Sequence, residues 1–356
     1  MTVNKLTVKQ FRNIKSAELV PSDGINVIFG SNAQGKTNLI EALWLLCGQK
    51  SFRGGRDSEF LSFGCDECLI KANFTADGRE QTAEIKIDKK KTASLNGIEL
   101  KSVSELSKSF NAVVFSPDDL AVISDGPEER RKFADGIIAS LYPKYEGIVS
   151  RYERAIAQRN MVLSDFRYHS ELEAILDNFE EQAARYGNEI VIYRSRFCEK
   201  LSAFSPDIYS GISDGKEKMS VKYISSAGNG VDEFKSSLKA SRAADSKTLA
   251  TSVGPHRDDF EILIDGMPAR KFASQGQKRS AAITLKLSEA ALIRDMTDNM
   301  PVILLDDVMS ELDKKRQAYV LNKIKDSQVF ITCCDPSNIK GLKAGKVFEV
   351  RNGEIV

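Results

Sequence analysis

The 356-residue sequence predicts an α/β fold in which one sheet-bearing lobe is split by a helical insertion. Three observations carry this reading. A glycine-containing segment, GSNAQGKT at residues 30–37, follows an apolar β-branched run and precedes an amphipathic stretch. A second apolar run ends in two carboxylates, ILLDDVMSELD at residues 303–313, shortly after a Gln/Gly turn, ASQGQKRS at residues 273–280. Between these two ends lies a charged, glycine-poor stretch whose apolar residues recur at steps of three and four.

Taken in order, residues 5–11 alternate with period two and read as a strand, and residues 25–29 (INVIF) form an apolar one. GSNAQGKT then fits the pattern G-x-x-x-x-G-K-[ST], a P-loop. Such a loop suits a phosphate chain, because backbone N–H groups converge on the anion and the helix N-terminus adds partial positive charge. Gly30 and Gly35 let the backbone approach closely, with Ser31, Asn32, Ala33 and Gln34 completing the cradle. Lys36 is expected to reach the β- and γ-phosphates, and the Thr37 hydroxyl to ligate Mg2+. Leu39, Ile40, Leu43, Trp44 and Leu46 follow at helical spacing.

Residues 68–74, 82–87 and 92–95 read as strands joined by short polar turns, with Asn96-Gly97 as a hairpin signal. After Ser116-Pro117 the texture changes, and residues 127–205 read as helix. Leu172, Leu176, Phe179, Ala183, Tyr186, Ile190, Tyr193, Phe197, Leu201 and Phe204 make one side of a helical hairpin, facing Ile148, Tyr152, Ile156, Leu163 and Phe166. At 1.5 Å per residue such an arm reaches on the order of 50 Å. Residues 211–250, rich in Gly, Ser and Lys, predict loops. The expected division is therefore one lobe of residues 1–115 plus 245–356, and a helical lobe of residues 116–244 forming a short antiparallel arm.

Pro301 opens the apolar strand 302–305, suited to the middle of a covered parallel sheet. Asp306 and Asp307 follow at its carboxyl end, where open α/β sheets bind ligands. Alone, an Asp-Asp there reads more readily as a helix-capping turn. Beside a P-loop it predicts a division of labour, with Asp306 supporting Mg2+ and Asp307 acting as general base toward an attacking water.

With these residues in place, the chain resembles the ABC-type ATPase heads shared by transporters, SMC proteins and double-strand-break-repair ATPases. Five further segments are similar to the recombination and replication-repair branch of that family: KQFRNI (9–14), KSFR (50–53), FSPDDL (115–120), GPEERRKFAD (126–135) and GPHRDDF (254–260). The resemblance implies an ABC-type head with ATP and Mg2+ as cofactors. It implies that Ser274 and Gly276 are the signature Ser and second Gly, contacting the γ-phosphate held by an opposite subunit, with Gln275 in place of the first Gly and Gln277 completing the turn. Asp307 stands where most of the family carries Glu, and residues 310–313 match the loop that crosses the dimer interface. The switch-loop His is missing, leaving Thr332 as the expected occupant, and Arg12 is a candidate for touching nucleotide.

The implied function is a weak, DNA-stimulated ATPase that dimerises on ATP and binds duplex DNA near gaps or ss/ds junctions. It would serve recombinational repair, replication-fork maintenance and the SOS response, with RecR as partner and RecO and RecA downstream. A transporter-type ABC subunit and a structural SMC-like clamp with vestigial ATPase activity are the alternatives. The helical insertion, FSPDDL and GPHRDDF speak against the first.

Composition limits the rest. Net charge is only +1, so a nucleic-acid surface has to be a local patch. The basic clusters at residues 89–91, 130–132 and 314–316 are candidates, although each by itself reads more readily as a solvated face. No apolar signal segment and no membrane-length run predict a cytoplasmic, nucleoid-associated protein without a membrane partner. The six cysteines are expected to be reduced, and the Cys65–Cys68 pair lacks the second pair a zinc site needs. His256, Arg257 and Asp258 read as a hydrogen-bonded turn without assigned chemistry.

Overall fold

The computed structural model describes residues 1–166, 170–228, 230–335 and 344–356. In chain order the strands are β1 (Thr2–Phe11), β2 (Ile14–Leu19), β3 (Ile25–Phe29), β4 (Cys68–Ala76), β5 (Arg79–Ile87), β6 (Lys91–Leu95), β7 (Ile98–Glu99), β8 (Ala112–Phe115), β9 (Met219–Ile224), β10 (Asp259–Ile264), β11 (Met267–Pro268), β12 (Val302–Leu305), β13 (Val329–Cys333), β14 (Ala344–Arg351) and β15 (Glu354–Ile355). The helices are α1 (Lys36–Leu45), α2 (Leu120–Ser124), α3 (Pro127–Leu141), α4 (Tyr145–Phe166), α5 (Glu173–Ile212), α6 (Val231–Thr248), α7 (Ala269–Phe272), α8 (Gln275–Thr297) and α9 (Lys314–Lys323).

The chain divides into two compact units. The first comprises Met1–Leu120, Asp207–Glu217 and Arg279–Val356. It contains an antiparallel sheet ordered β2-β1-β4-β5-β6-β7 and a second sheet ordered β15-β14-β3-β13-β12-β8. In the second sheet β8, β12, β13, β3 and β14 run parallel. Strands β8, β12 and β13 are buried at every residue, as a sheet covered on both faces requires. Helix α1 packs against strands of both sheets and is buried nearly all round, so the expected amphipathic helix is instead a core helix. At the Asn96-Gly97 turn both residues have positive φ, 53° and 80°, and Leu95 pairs with Ile98 as the hairpin signal predicts.

The second unit comprises Ala121–Pro206 and Lys218–Lys278 and holds the three-stranded sheet β11-β10-β9 with helices α3 to α6. Residues 211–250 are not loops: they contain β9 and the 18-residue α6. Helix α6 buries Phe234, Leu238, Arg242, Asp245 and Ser246 at helical spacing. Its buried stripe is largely polar and charged, so hydrophobic periodicity does not register it.

The division also differs from the one the sequence suggests. Strand β10 pairs along its whole length with β9, which keeps residues 245–278 with the helical unit. The end of α5 belongs to the first unit: Gly211 lies against the Tyr319 ring, and Lys315 Nζ pairs with Asp214 Oδ2 at 2.6 Å. The boundary within α5 falls at Pro206, which has no N–H for the helix ladder.

Candidate nucleotide site

Parallel pairing aligns four strand ends on one edge of the second sheet. Phe29 pairs with Cys333, and Leu305 pairs with both Ile331 and Phe115. The residues that follow these ends, the P-loop after β3 and Asp306 after β12, are thereby brought together at the carboxyl edge.

The P-loop turns tightly into α1, with Ala33 at φ 64° and Gly35, the N-cap, at φ 115°. A Cβ on Gly30 would stand 2.4 Å from the Val350 carbonyl oxygen, and one on Gly35 would stand 2.8 Å from Asn13 Oδ1. The protein itself therefore excludes side chains at both positions. The buried Lys36 ammonium donates to the carbonyls of Gly30 at 2.8 Å and Ser31 at 3.0 Å, which holds it folded over the loop. It also lies 3.9 Å from Cys334 Sγ, and that thiol reaches Asn32 Oδ1 at 3.0 Å.

Thr37 Oγ1 donates to Asp306 Oδ1 at 3.0 Å. Thr332 Oγ1 donates to the same oxygen at 2.8 Å and accepts from the Asp307 N–H at 2.9 Å. Burial pushes the Asp306 carboxyl up from its ordinary range, opposed by the Thr332 and Thr37 hydroxyls and aided by neighbouring Asp307. Asp307 is half-buried and sits in the left-handed region at φ 53°, a conformation uncommon for a residue with a Cβ. Thr332 is thus committed to the Asp306 carboxylate and the Asp307 backbone N–H. On the β13 side the P-loop is touched by Cys334, which sequence reasoning had not singled out.

These residues fit Mg2+ with a nucleotide. Among the described residues no three His, Cys, Asp or Glu side chains converge on a metal position. A hydroxyl and a carboxylate in contact suit a cation that takes one or two protein oxygens and completes its shell with water and phosphate. Cys65 donates to Gln10 Oε1, Cys68 is buried in β4, and both are free thiols.

Arg12 is engaged by the core of the first unit. Its guanidinium forks onto the fully buried Glu41, with Nε to Oε2 at 2.5 Å and Nη2 to Oε1 at 2.7 Å. Arg53, from KSFR, remains partly exposed, donates to Asn38 Oδ1 at 2.7 Å, and its charge weakly opposes the upward push of burial on the Asp306 carboxyl. Its membership of a family segment was the sequence signal for it.

In the second unit, Ser274 is the residue before α8, and SQGQ closes as a capping box. The Ser274 N–H donates to Gln277 Oε1 at 2.7 Å, and the Gln277 N–H donates to Ser274 Oγ at 3.2 Å. Ser274 and Gln275 are exposed, and Gly276 and Gln277 are half-buried. The turn thus presents the start of a 23-residue helix to solvent.

The remaining motifs are structural. Arg130 is buried and forks onto Asp259 at 2.7 and 3.0 Å, and Arg131 donates to the Asp258 carbonyl at 2.7 Å. Lys132 pairs with Glu128 and Glu129, so residues 130–132 are committed to packing and surface pairing. His256 Nδ1 meets the Tyr152 hydroxyl at 2.6 Å and its Nε2 meets the Thr251 carbonyl at 2.9 Å, while burial pulls its pKa below the ordinary 6.5. Asp258 accepts from Tyr223, from the Ser226 N–H and from Ser226 Oγ. GPHRDDF is a hydrogen-bonded hub of the second unit.

Among the described residues no helix is long and apolar enough to cross a membrane. Residues 2–355 match the family model for the RecF/RecN/SMC N terminal domain. The DNA replication and repair protein RecF of Agathobacter rectalis is 38% identical over 361 residues, covering 100% of this chain and 99% of the relative. The solved structure of the recombination mediator protein RecF with ATP, from the RecFOR pathway, has a TM-score of 0.91 at 36% identity, covering 100% of this chain and 97% of that one. An SMC head domain from Pyrococcus furiosus, at 19% identity and TM-score 0.56, shares the fold. Full-length similarity at this level, on a chain whose P-loop and paired aspartates meet as described, makes this protein a member of the RecF family.

Proposed function

We propose that this chain is an ATP-switched, DNA-binding ATPase of the recombination-mediator type. Two copies would close over two ATP molecules, each held by one copy's P-loop and the other copy's SQGQ turn. What carries the proposal is the convergence of Lys36, Thr37, Asp306 and Asp307 at one sheet edge, with the Thr37 hydroxyl already on the Asp306 carboxylate. Lys36 would neutralise phosphate charge, Thr37 and Asp306 would hold Mg2+, and Asp307 would take the proton of the attacking water. ATP with Mg2+, when bound, supplies a phosphoanhydride polarised for hydrolysis. Against other Glu-bearing heads, the shorter Asp307 arm stands about one methylene further from its water, which accords with slow turnover that times the release of a clamp.

The dimer would bind duplex DNA near gaps or ss/ds junctions, with RecR as partner and RecO and RecA acting downstream. Exposed Lys89 and Lys90 in the β5–β6 turn remain free for phosphate contacts, unlike Arg130 and Arg131. A near-zero net charge favours a basic surface assembled only when two heads meet. Light scattering with and without ATP, combined with titration of labelled duplex at several salt concentrations, tests the reading. Expected are an ATP-dependent dimer and an ATP-enhanced, steeply salt-sensitive affinity. A monomer under all conditions, or nucleotide-independent binding, overturns it.

A further inference from the structure

The P-loop is held from outside by the end of the chain. Strands β14 and β15 are joined by Asn352-Gly353, both at positive φ of 49° and 77°, which is a two-residue hairpin turn. This turn donates twice to one P-loop residue: the Asn352 N–H reaches Gln34 Oε1 at 2.6 Å, and the Gly353 N–H reaches the Gln34 carbonyl at 3.0 Å. From the other side, Asn13 Nδ2 in the β1–β2 turn donates to the Ala33 carbonyl at 3.0 Å. The two clamps also touch each other, since a Cβ on Gly353 would stand 2.0 Å from the Asn13 carbonyl oxygen. The neighbouring β14 residue Val350 closes on Gly30, as described above.

We infer that the Asn352-Gly353 hairpin is a positioning device for the phosphate cradle, acting through Gln34, and that nucleotide affinity depends on it. A P-loop binds phosphate with backbone N–H groups, and those groups converge only if the carbonyls between them are turned outward and kept there. The carbonyls of Ala33 and Gln34 accept from Asn13 Nδ2 and the Gly353 N–H, which hold them turned outward. Gln34 is consequently a positioning residue whose side chain faces the hairpin. The inference rests on the proposed ATP site.

The test compares Gln34→Ala, Gln34→Glu and Gly353→Ala, reading ATP affinity with a fluorescent nucleotide, KM and kcat for ATP, and apo thermal stability. Gln34→Ala removes the side-chain acceptor and is expected to weaken ATP binding about tenfold, a scale set by losing one hydrogen bond's worth of fixation. The loss falls on KM more than on kcat. Gln34→Glu keeps an acceptor oxygen and is expected to restore most of the affinity. Gly353→Ala, which drives a methyl group into Asn13, is expected to reproduce the defect and to show little further loss when combined with Gln34→Ala.

Parent-like ATP affinity in both Gln34→Ala and Gly353→Ala overturns the inference, as do strictly additive losses in the double variant. Should Gly353→Ala fail to fold, the Gln34→Ala and Gln34→Glu pair decides alone. If the parent itself binds no ATP while remaining folded, the proposed nucleotide site fails first, which separates the two outcomes.

Discussion

The Thr37 hydroxyl, at the start of α1, donates to the Asp306 carboxylate at the end of β12, 3.0 Å away across a sequence separation of 269 residues. That oxygen also accepts from Thr332, whose own oxygen receives the Asp307 N–H. One buried hydroxyl therefore orients both adjacent aspartates. Thr332→Val keeps the shape but leaves the Asp307 N–H and one Asp306 contact unmet, at a cost of about 1–3 kcal/mol. ATP affinity is expected to survive better than turnover, because Asp307 loses its orientation. Calorimetry together with single-turnover hydrolysis checks this, and parent-like turnover would remove Thr332 from the arrangement.

The Lys36 ammonium donates to the P-loop carbonyls of Gly30 and Ser31. Lys36→Ala is expected to abolish ATP-dependent dimerisation, and Lys36→Arg to bind nucleotide but hydrolyse it poorly, because a planar fork does not replace a compact ammonium. Nucleotide affinity measured beside turnover decides it. Normal turnover in Lys36→Ala excludes this loop from the reaction.

Ser274 stands in a different compact unit from Lys36, in an exposed capping box. If each ATP is shared between copies, Ser274→Arg leaves monomer nucleotide binding nearly intact and eliminates dimerisation and hydrolysis. Mixing it with Lys36→Ala yields dimers with one intact site, so two inactive proteins are expected to recover partial ATPase activity. Full activity of Ser274→Arg as a monomer would place the whole site within one chain.

His256 is kept neutral in the folded protein by burial against Tyr152 and Thr251. Its folded pKa lies below the unfolded value of 6.5, so the unfolded chain binds the proton first as pH falls. The stability contributed by neutral His256 is complete above pH 6.5 and declines as pH drops toward the folded pKa. Thermal melts from pH 7.5 to 5 are expected to show this decline, and His256→Gln to flatten it. An unchanged slope in the variant would show that other groups carry the pH dependence.

Much of the nucleotide site was legible in the sequence because its chemistry is local. The P-loop spacing fixes which backbone groups line an anion site, and an apolar run before Asp306-Asp307 places carboxylates at a strand's carboxyl end. Strands β3 and β12 occupy the predicted residues without shift. What escaped was set by partners distant in sequence. Helix α6 hides because its buried face carries Arg242 and Asp245, whose counter-charges lie on α4 and α5: Arg242 with Glu180, and Asp245 with Arg159. Burial of charge in this way has no periodic hydrophobic signature.

The sequence by itself determined that a phosphate-binding loop, a carboxylate-ended strand and a signature-like turn coexist in one chain. Only the tertiary structure decided which side chains meet. It drew Arg12 onto Glu41 and Arg130 onto Asp259, and set the Thr332 hydroxyl between the Asp306 carboxylate and the Asp307 N–H. The reason is physical: spacing along a chain specifies backbone geometry within an element, whereas a hydrogen bond between groups 269 residues apart exists only once parallel register has aligned their strand ends.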